Sequence, residues 1–147
     1  MANISLAAAS QIVDAALAEG RKRSFKPLTV AVLDAGGHLV ALKREDNSSL
    51  LRPQIATAKA WGALGMGFGG RELERRGKAN PGFFNVLSEL SDGRMVPNPG
   101  GVLIRDKNGA IIGSVGISGD VSLSDEICAV AGIKAAGLVP DTGDPDG

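Results

Sequence analysis

The chain has 147 residues, and its 16 basic side chains balance its 16 acidic ones, which argues against a nucleic-acid partner. Its apolar runs fall short of the roughly 18 residues that span a membrane, and residues 1–5 do not resemble a signal peptide. Cys128 is the single cysteine, which excludes an internal disulfide and favours a reducing, cytoplasmic location.

The first half of the chain predicts a helix, a β-hairpin and a second helix. Apolar residues recur at helical spacing over residues 5–20, which predicts the first helix. The apolar runs Leu28–Leu33 and Leu39–Arg44 flank an Asp-Ala-Gly-Gly sequence, and such a turn is typical of a hairpin. Residues 50–67, rich in alanine and glycine, predict the second helix.

The second half predicts two short helices, another hairpin and a last helix. In chain order these elements cover residues 71–78, residues 82–90, Val102–Arg105, Ala110–Ile117 and residues 125–137. An Asn-Pro-Gly sequence separates the short helices, and Asp-Lys-Asn-Gly forms the turn of the hairpin. Together the elements predict one domain over residues 1–140, and the polar residues 141–147 predict a flexible tail.

Both faces of the first predicted strand are apolar. Its two alternating sets are Leu28, Val30, Val32 and Thr29, Ala31, Leu33. A sheet with one face in water would alternate apolar with polar residues, so this sheet is covered on both sides, by helices or by a second subunit. Because hairpins pair strands in antiparallel fashion, a three-layer α/β/α arrangement is favoured over a parallel doubly wound sheet.

Three glycines punctuate the last predicted strand and the residues just after it: Gly113, Gly116 and Gly119. Isolated glycines in a strand mark a bulge or the close approach of another surface. The sequence leaves open whether that surface is a ligand or a neighbouring subunit.

Five short segments stand out in order along the chain. They are Val30–Arg44, Ile55–Ala60, Pro99–Gly101, Ile112–Gly119 and the stretch that runs from Asp125 to Gly132. In order and spacing they resemble the GlcG/HbpS family of haem-degrading-type (DUF336) domains over nearly the whole chain. The resemblance implies a profilin-like three-layer α/β/α fold with a five-stranded antiparallel sheet, packed into homo-oligomers. It also implies haem or a corrinoid-related ligand in some members.

A haem ligand would need an axial donor, and haem iron takes histidine, cysteine, methionine or tyrosine. The chain has no tyrosine, and its donors are His38, Cys128, Met1, Met66 and Met95. His38 follows the first hairpin turn and could bind iron, while Arg44 or Arg52 would meet the propionates. The simpler alternatives are an exposed hairpin histidine without a ligand and a buried, apolar Cys128.

Lys59 lies in an apolar setting on the second predicted helix. Its neighbours at helical spacing are Ile55, Ala56, Gly62 and Ala63, none of which can pair with it. Its side chain therefore either extends to solvent or enters a pocket, where it would pair with an anionic ligand or with a carboxylate. Asp125 and Glu126 are the candidate carboxylates, although both could simply complement the dipole of the last helix.

The segment Asn98–Gly101 ends in two adjacent glycines just before a strand. Without Cβ atoms, Gly100 and Gly101 could turn their backbone amides toward a carboxylate oxygen of a ligand. A tight turn leading into the strand is an equally simple interpretation. Asn98 stands where the family pattern often has an aromatic residue.

Three functions are compatible with these residues. The resemblance favours a small-ligand-binding protein that holds haem or a related tetrapyrrole. The second is a cofactor-independent enzyme acting on a small anionic metabolite, held by Lys59, Arg44 and the Asn98–Gly101 amides. In it, Lys59 and Glu126 are the candidate catalytic residues, and Asp125 or Glu126 would move protons. The third is an oligomeric assembly module whose glycine-rich faces pack subunits.

Overall fold

The computed structural model describes residues 3–144, in which the predicted helices and strands occur in the expected order with one additional strand. The helices are α1 (Leu6–Lys22), α2 (Arg52–Met66), α3 (Gly70–Ala79), α4 (Pro81–Leu90) and α5 (Ser122–Ala135). The strands are β1 (Thr29–Asp34), β2 (Leu39–Arg44), β3 (Gly101–Arg105), β4 (Ile111–Ser118) and β5 (Val139–Asp141). Among the helices of residues 3–144, none has the length and apolar character needed to cross a membrane.

The five strands form one antiparallel sheet in the order β2-β1-β4-β3-β5. One face packs against α1 and α5, where Val30 and Ile117 of the sheet join Ile12 and Ile133 of the helices in a buried cluster. The other face is covered by α2. Helices of the same chain therefore cover both faces, and the predicted three-layer α/β/α fold with a five-stranded antiparallel sheet is confirmed.

The backbone of α2 lies directly against β4. A Cβ atom at Gly116 would come within 1.8 Å of the carbonyl oxygen of Ala56, so this position requires glycine. Nearby, the Ser114 hydroxyl donates a hydrogen bond to the carbonyl oxygen of Ala60 at 2.8 Å. The surface that approaches Gly116 is therefore helix α2 of the same chain. The sequence had left open a ligand or a second subunit, and neither is needed at this position.

The two edges of the sheet differ. At one edge β5 has only three residues and contains Pro140, which has no backbone N–H to donate. At the other edge β2 has six residues, and its register with β1 shifts between Val32 and Leu33. Lys43 of β2 carries an exposed ion pair with Asp14 of α1 at 2.8 Å.

The segment for which the sequence predicts a flexible tail, residues 141–147, begins with residues that contact the rest of the fold. Asp141 belongs to β5, Thr142 is buried, and the carbonyl oxygen of Thr142 accepts a hydrogen bond from the Arg71 amide at 3.1 Å. Residues 145–147, the rest of that segment, lie outside the described residues, as does Met1.

Helix α5 begins about one turn earlier than predicted. The sequence predicted a helix over residues 125–137, but Ser122 and Ser124 already lie within its first turn and Val121 occupies the N-cap. The carboxylate of Asp120 accepts a hydrogen bond from the Val121 amide at 2.7 Å. Asp120 therefore provides a polar contact just before the helix begins.

We expect Gly116→Ala to destabilise the fold by about 3 kcal/mol, because its methyl group would overlap the backbone of α2 and push the helix off the sheet. Urea unfolding measures this loss. Gly82→Ala in α4 is the matched control, since an added Cβ there meets nothing within 4 Å. An equal effect of the two substitutions would contradict the direct contact between α2 and β4.

Candidate functional site

Lys59 forms a buried ion pair at the centre of the fold. Its Nζ donates hydrogen bonds to the carbonyl oxygen of Ile117 at 3.0 Å and to Oδ2 of Asp125 at 3.2 Å. Only 4% of Lys59 and none of Asp125 is exposed. Oδ1 of Asp125 accepts a third hydrogen bond, from the Asp120 amide at 3.0 Å. The pair therefore joins α2, β4 and α5.

Burial acts on both members of this pair. Desolvation lowers the pKa of Lys59, and the nearby Asp125 carboxylate opposes that shift. Desolvation likewise raises the pKa of Asp125 to about 6, although the positive charge of Lys59 acts in the other direction. Each charged group thus depends on the other to remain ionised inside the protein.

The segment Asn98–Gly101 packs around Lys59. Gly100 has a φ of +106°, and a Cβ there would lie 3.0 Å from Lys59 Nζ and 2.9 Å from the carbonyl oxygen of Ile117. A Cβ at Gly101 would lie 2.4 Å from the carbonyl oxygen of Lys59. Asn98 turns away, and its Nδ2 donates to Glu74 at 3.4 Å.

The structure thus brings together four of the residues singled out in the sequence: Lys59, Gly100, Gly101 and Asp125. Lys59 and Asp125 are buried, and Lys59 lines none of the main surface cavities of residues 3–144. Lys59 therefore pairs with a carboxylate of its own chain. This is one of the two partners, an anionic ligand or a carboxylate, that the sequence suggested for a buried Lys59. A ligand contact at these residues remains a prediction.

Glu126 points to a different place from its neighbour Asp125. It is 4% exposed and accepts three hydrogen bonds from Arg71 of α3, at 2.7–3.0 Å. Arg71 also donates to Asp144 at 3.0 Å, so it fastens α5 to the end of the chain. These groups border a cleft of about 430 Å³ that Arg23 and Lys134 also line. Arg71 was not anticipated, because nothing in a charged helix marks which arginine turns inward.

His38 and Arg44 lie apart from Lys59 and from each other. The His38 side chain is 80% exposed, and its Nδ1 lies 3.1 Å from Oδ1 of Asp34. Arg44 donates to the carbonyl oxygen of Ser48 at 2.9 Å. Six residues of extended strand separate Arg44 from His38 by roughly 20 Å, so the two do not share one site.

The Asp34 carboxylate organises the hairpin turn that carries His38. Oδ1 accepts hydrogen bonds from the backbone amides of His38 and Gly36, each at 3.0 Å. These bonds, that from His38 above all, lower the pKa of Asp34. The imidazole is thus held at Nδ1 by a carboxylate, while Nε2 has no partner among residues 3–144.

A groove on the outer side of α2 combines a ligand-sized volume with a largely apolar lining. We call it the Trp61 groove; its volume is about 420 Å³, and it is lined by Pro53, Gln54, Thr57, Ala58, Trp61, Gly93 and Arg94. The guanidinium carbon of Arg94 lies 4.3 Å from the centre of the Trp61 ring. The first hairpin borders this region, since a Cβ at Gly37 would lie 3.3 Å from Trp61 Nε1.

The other donors considered for haem iron differ in their access to solvent. Met66 and Met95 line a smaller cavity of about 170 Å³ on the far side of Trp61 and Arg94. Cys128 is fully buried, and burial raises the pKa of its thiol to about 12, so it is not a thiolate ligand. Residues 3–144 contain no group of three or more His, Cys, Asp or Glu side chains suited to a metal ion.

Comparison with known proteins identifies relatives over nearly the whole chain. The family model "Haem degrading protein HbpS-like" matches residues 4–134. A 15.0 kDa protein of Citrobacter freundii, from the dhaT–dhaS intergenic region, is 29% identical over 129 residues, which cover 88% of this chain and 89% of the relative.

Solved structures share the fold. The haem complex of PduOC superposes with a TM-score of 0.84 at 25% identity, covering 97% of this chain and 99% of the other. The Klebsiella pneumoniae protein ORFY has a TM-score of 0.83 at 25% identity, with 93% and 92% covered. A double mutant of Streptomyces reticuli HbpS has a TM-score of 0.78 at 24% identity, with 91% and 87% covered.

We expect Lys59→Met to reduce the free energy of unfolding by about 3 kcal/mol at pH 8, because it leaves the Asp125 carboxylate buried without its cation. Without Lys59 the pKa of Asp125 rises above its present value of about 6, while in the unfolded chain it is near 3.8. The folded variant then binds a proton more tightly than the unfolded one. Stability is therefore regained as the pH falls toward 5 and lost as it rises to 8.

Urea unfolding between pH 5 and pH 8 measures this effect. Lys43→Met is the control, since it breaks an ion pair whose two side chains are 61% and 60% exposed. The control should lose far less stability, by a similar amount at both pH values. A loss in Lys59→Met that is the same at pH 5 and pH 8 would show that Asp125 does not depend on Lys59.

Proposed function

Because the chain belongs to the HbpS-like family of haem degrading proteins, we propose that it binds a small ligand of the tetrapyrrole class, with haem as the first candidate. The Trp61 groove is the observation that carries this proposal. Its volume of about 420 Å³ lies within the range of roughly 300–1,000 Å³ found for small-molecule sites. A relative of the same fold forms a complex with haem, which supports the choice of ligand.

The residues around the groove fit haem in their chemistry. Trp61 lines the groove and contributes aromatic surface to it. His38 follows Gly37, which lies against Trp61, and its Nδ1 contacts Asp34. Histidines that bind metals typically donate their other ring N–H to a carboxylate in this way, so Nε2 is the nitrogen that would meet iron. Once bound, haem supplies an iron that can change its oxidation state.

The alternative of a cofactor-independent enzyme acting on a small anionic metabolite has less support. Its central residue, Lys59, is paired with Asp125 in a packed interior, and Glu126 is bound to Arg71. Arg44 lies at the far end of β2, so these candidates do not converge on one cavity. We therefore rank this alternative below ligand binding.

The balanced charge and the single cysteine support a cytoplasmic location and no nucleic-acid partner.

We also propose that the chain forms homo-oligomers through α4. Phe83, Val86 and Leu90 recur at helical spacing along this helix, and they are 49%, 57% and 78% exposed. A stripe of large apolar side chains that faces water is typical of a surface that another protein covers. An assembly of this kind is compatible with ligand binding, because no residue of α4 lines the Trp61 groove.

Haemin titration tests ligand binding directly, because Trp61 is the single tryptophan of the chain. We expect haemin to quench Trp61 fluorescence and to develop a Soret band. Trp61→Leu should weaken the affinity, read from the Soret band, by about three- to tenfold through the lost aromatic contact. Phe68→Leu is the control, since Phe68 is also stacked by an arginine but lies outside the groove.

The variant His38→Ala tests whether His38 binds the iron, independently of whether the porphyrin ring binds in the groove. We expect this variant to shift or abolish the Soret band, while protoporphyrin IX, which has no iron, still quenches Trp61. An unchanged Soret band would show that His38 is not the ligand. Haemin that leaves Trp61 fluorescence unaltered, after correction with free tryptophan amide, would contradict binding in the groove.

Light scattering after gel filtration tests the assembly proposal. We expect Leu90→Asp to reduce the molar mass below that of the wild-type protein, because a charge in an apolar interface is costly to bury. Leu6→Asp on α1, where the side chain is 65% exposed, should leave the mass unchanged. A monomeric wild-type protein would rule out this use of α4.

A further inference from the structure

Arg94 has no carboxylate partner among residues 3–144. Its Nε donates to the carbonyl oxygen of Ser91 at 2.7 Å, while its two terminal nitrogens have no partner among residues 3–144. No ion pair of the described residues includes Arg94. A guanidinium group has five N–H donors in a planar fork, so the outer part of this fork is free to receive an anion.

The turn that carries Arg94 holds it at one place. Asp92 and Gly93 have φ values of +56° and +73°, and the Gly93 amide donates to the carbonyl oxygen of Ser88 at 2.7 Å. The Arg94 amide then donates to the carbonyl oxygen of Ser91 at 3.2 Å. The chain therefore folds back over α2 and places the guanidinium on the Trp61 ring, at the rim of the groove.

Arg76 provides an internal comparison. Its guanidinium carbon lies 4.2 Å from the centre of the Phe68 ring, which is nearly the same stacking geometry. Its Nε, however, lies 3.5 Å from a carboxylate oxygen of Glu72, so the charge is already balanced within the protein. Stacking on an aromatic ring thus occurs twice among the described residues, but Arg94 has no such carboxylate.

We infer that Arg94 binds a carboxylate of the ligand whose ring occupies the Trp61 groove. The ligand class is then a planar ring system that carries a carboxylate. The ring would lie against the apolar lining formed by Pro53, Ala58 and Trp61, and the carboxylate would accept hydrogen bonds from the guanidinium. This inference rests on the proposed function, and for haem the carboxylate is a propionate. It replaces Arg44 and Arg52 with Arg94 as the propionate contact.

The experiment compares haemin with its dimethyl ester, which has the same ring and iron but no carboxylate. Affinities of the wild-type protein, Arg94→Met and Arg76→Met are measured from the Soret band and from Trp61 fluorescence. We expect Arg94→Met to bind haemin about 10- to 100-fold more weakly, the usual effect of losing a charged hydrogen bond. Its affinity for the ester should stay that of the wild-type protein, and Arg76→Met should bind both as the wild-type does.

Arg94→Lys, which keeps the charge but not the fork, should bind haemin with an affinity between those of the wild-type and Arg94→Met. Equal wild-type affinity for haemin and ester, or an equal loss of both in Arg94→Met, would overturn the carboxylate contact while leaving ligand binding intact. If neither form binds the wild-type protein, the proposed function fails and the inference fails with it. Circular dichroism confirms that each variant is folded.

Discussion

The direct contact of α2 with the sheet determines which side chains of that helix are buried and which line the groove. Because Gly116 and Gly101 let the helix backbone touch β4 and β3, α2 is divided into two narrow stripes. Ala56, Lys59 and Ala60 face inward, where the Lys59 ammonium ends beneath Ile117 and Asp125. Residues three and four positions apart on the outer side, such as Thr57 and Trp61, form the groove instead. If α2 lay further from the sheet, the inward-facing and outward-facing residues of the helix would differ less in their burial.

The layers of the fold could be predicted because they depend on local patterns. Turn residues between apolar runs marked both hairpins, and the apolar character of both faces of β1 indicated a covered sheet. β5 was missed because Val139–Asp141 has three residues and a proline, and its position follows from pairing with Arg105 across the sheet. The early start of α5 was missed because serines are typical of the position before a helix, whereas Ser122 and Ser124 lie inside it and Asp120 makes the contact in front of it.

The candidate site was less accessible from the sequence than the fold. Lys59 stood out because an apolar helix offered it no partner, and its pairing with Asp125 was one of the alternatives considered. Trp61 and Arg94 did not stand out, because their stacking joins a helix to a loop more than 30 positions away in the chain. No regular spacing of residues in the sequence indicates a groove that is formed by such a distant contact. His38 was placed correctly after a hairpin turn, but the sequence did not show that Asp34 would hold its ring.

The unequal edges of the sheet limit how these molecules could join through their backbones. β5 is short and interrupted by Pro140, so it offers little to a further strand, whereas β2 exposes a longer edge. If two molecules pair through their β2 strands, each sheet then has only its β5 edge left at the outside, and that edge accepts no further strand. Pairing of strands between copies would therefore stop at two molecules and would not grow into an open fibre, because β5 closes the other edge of each sheet.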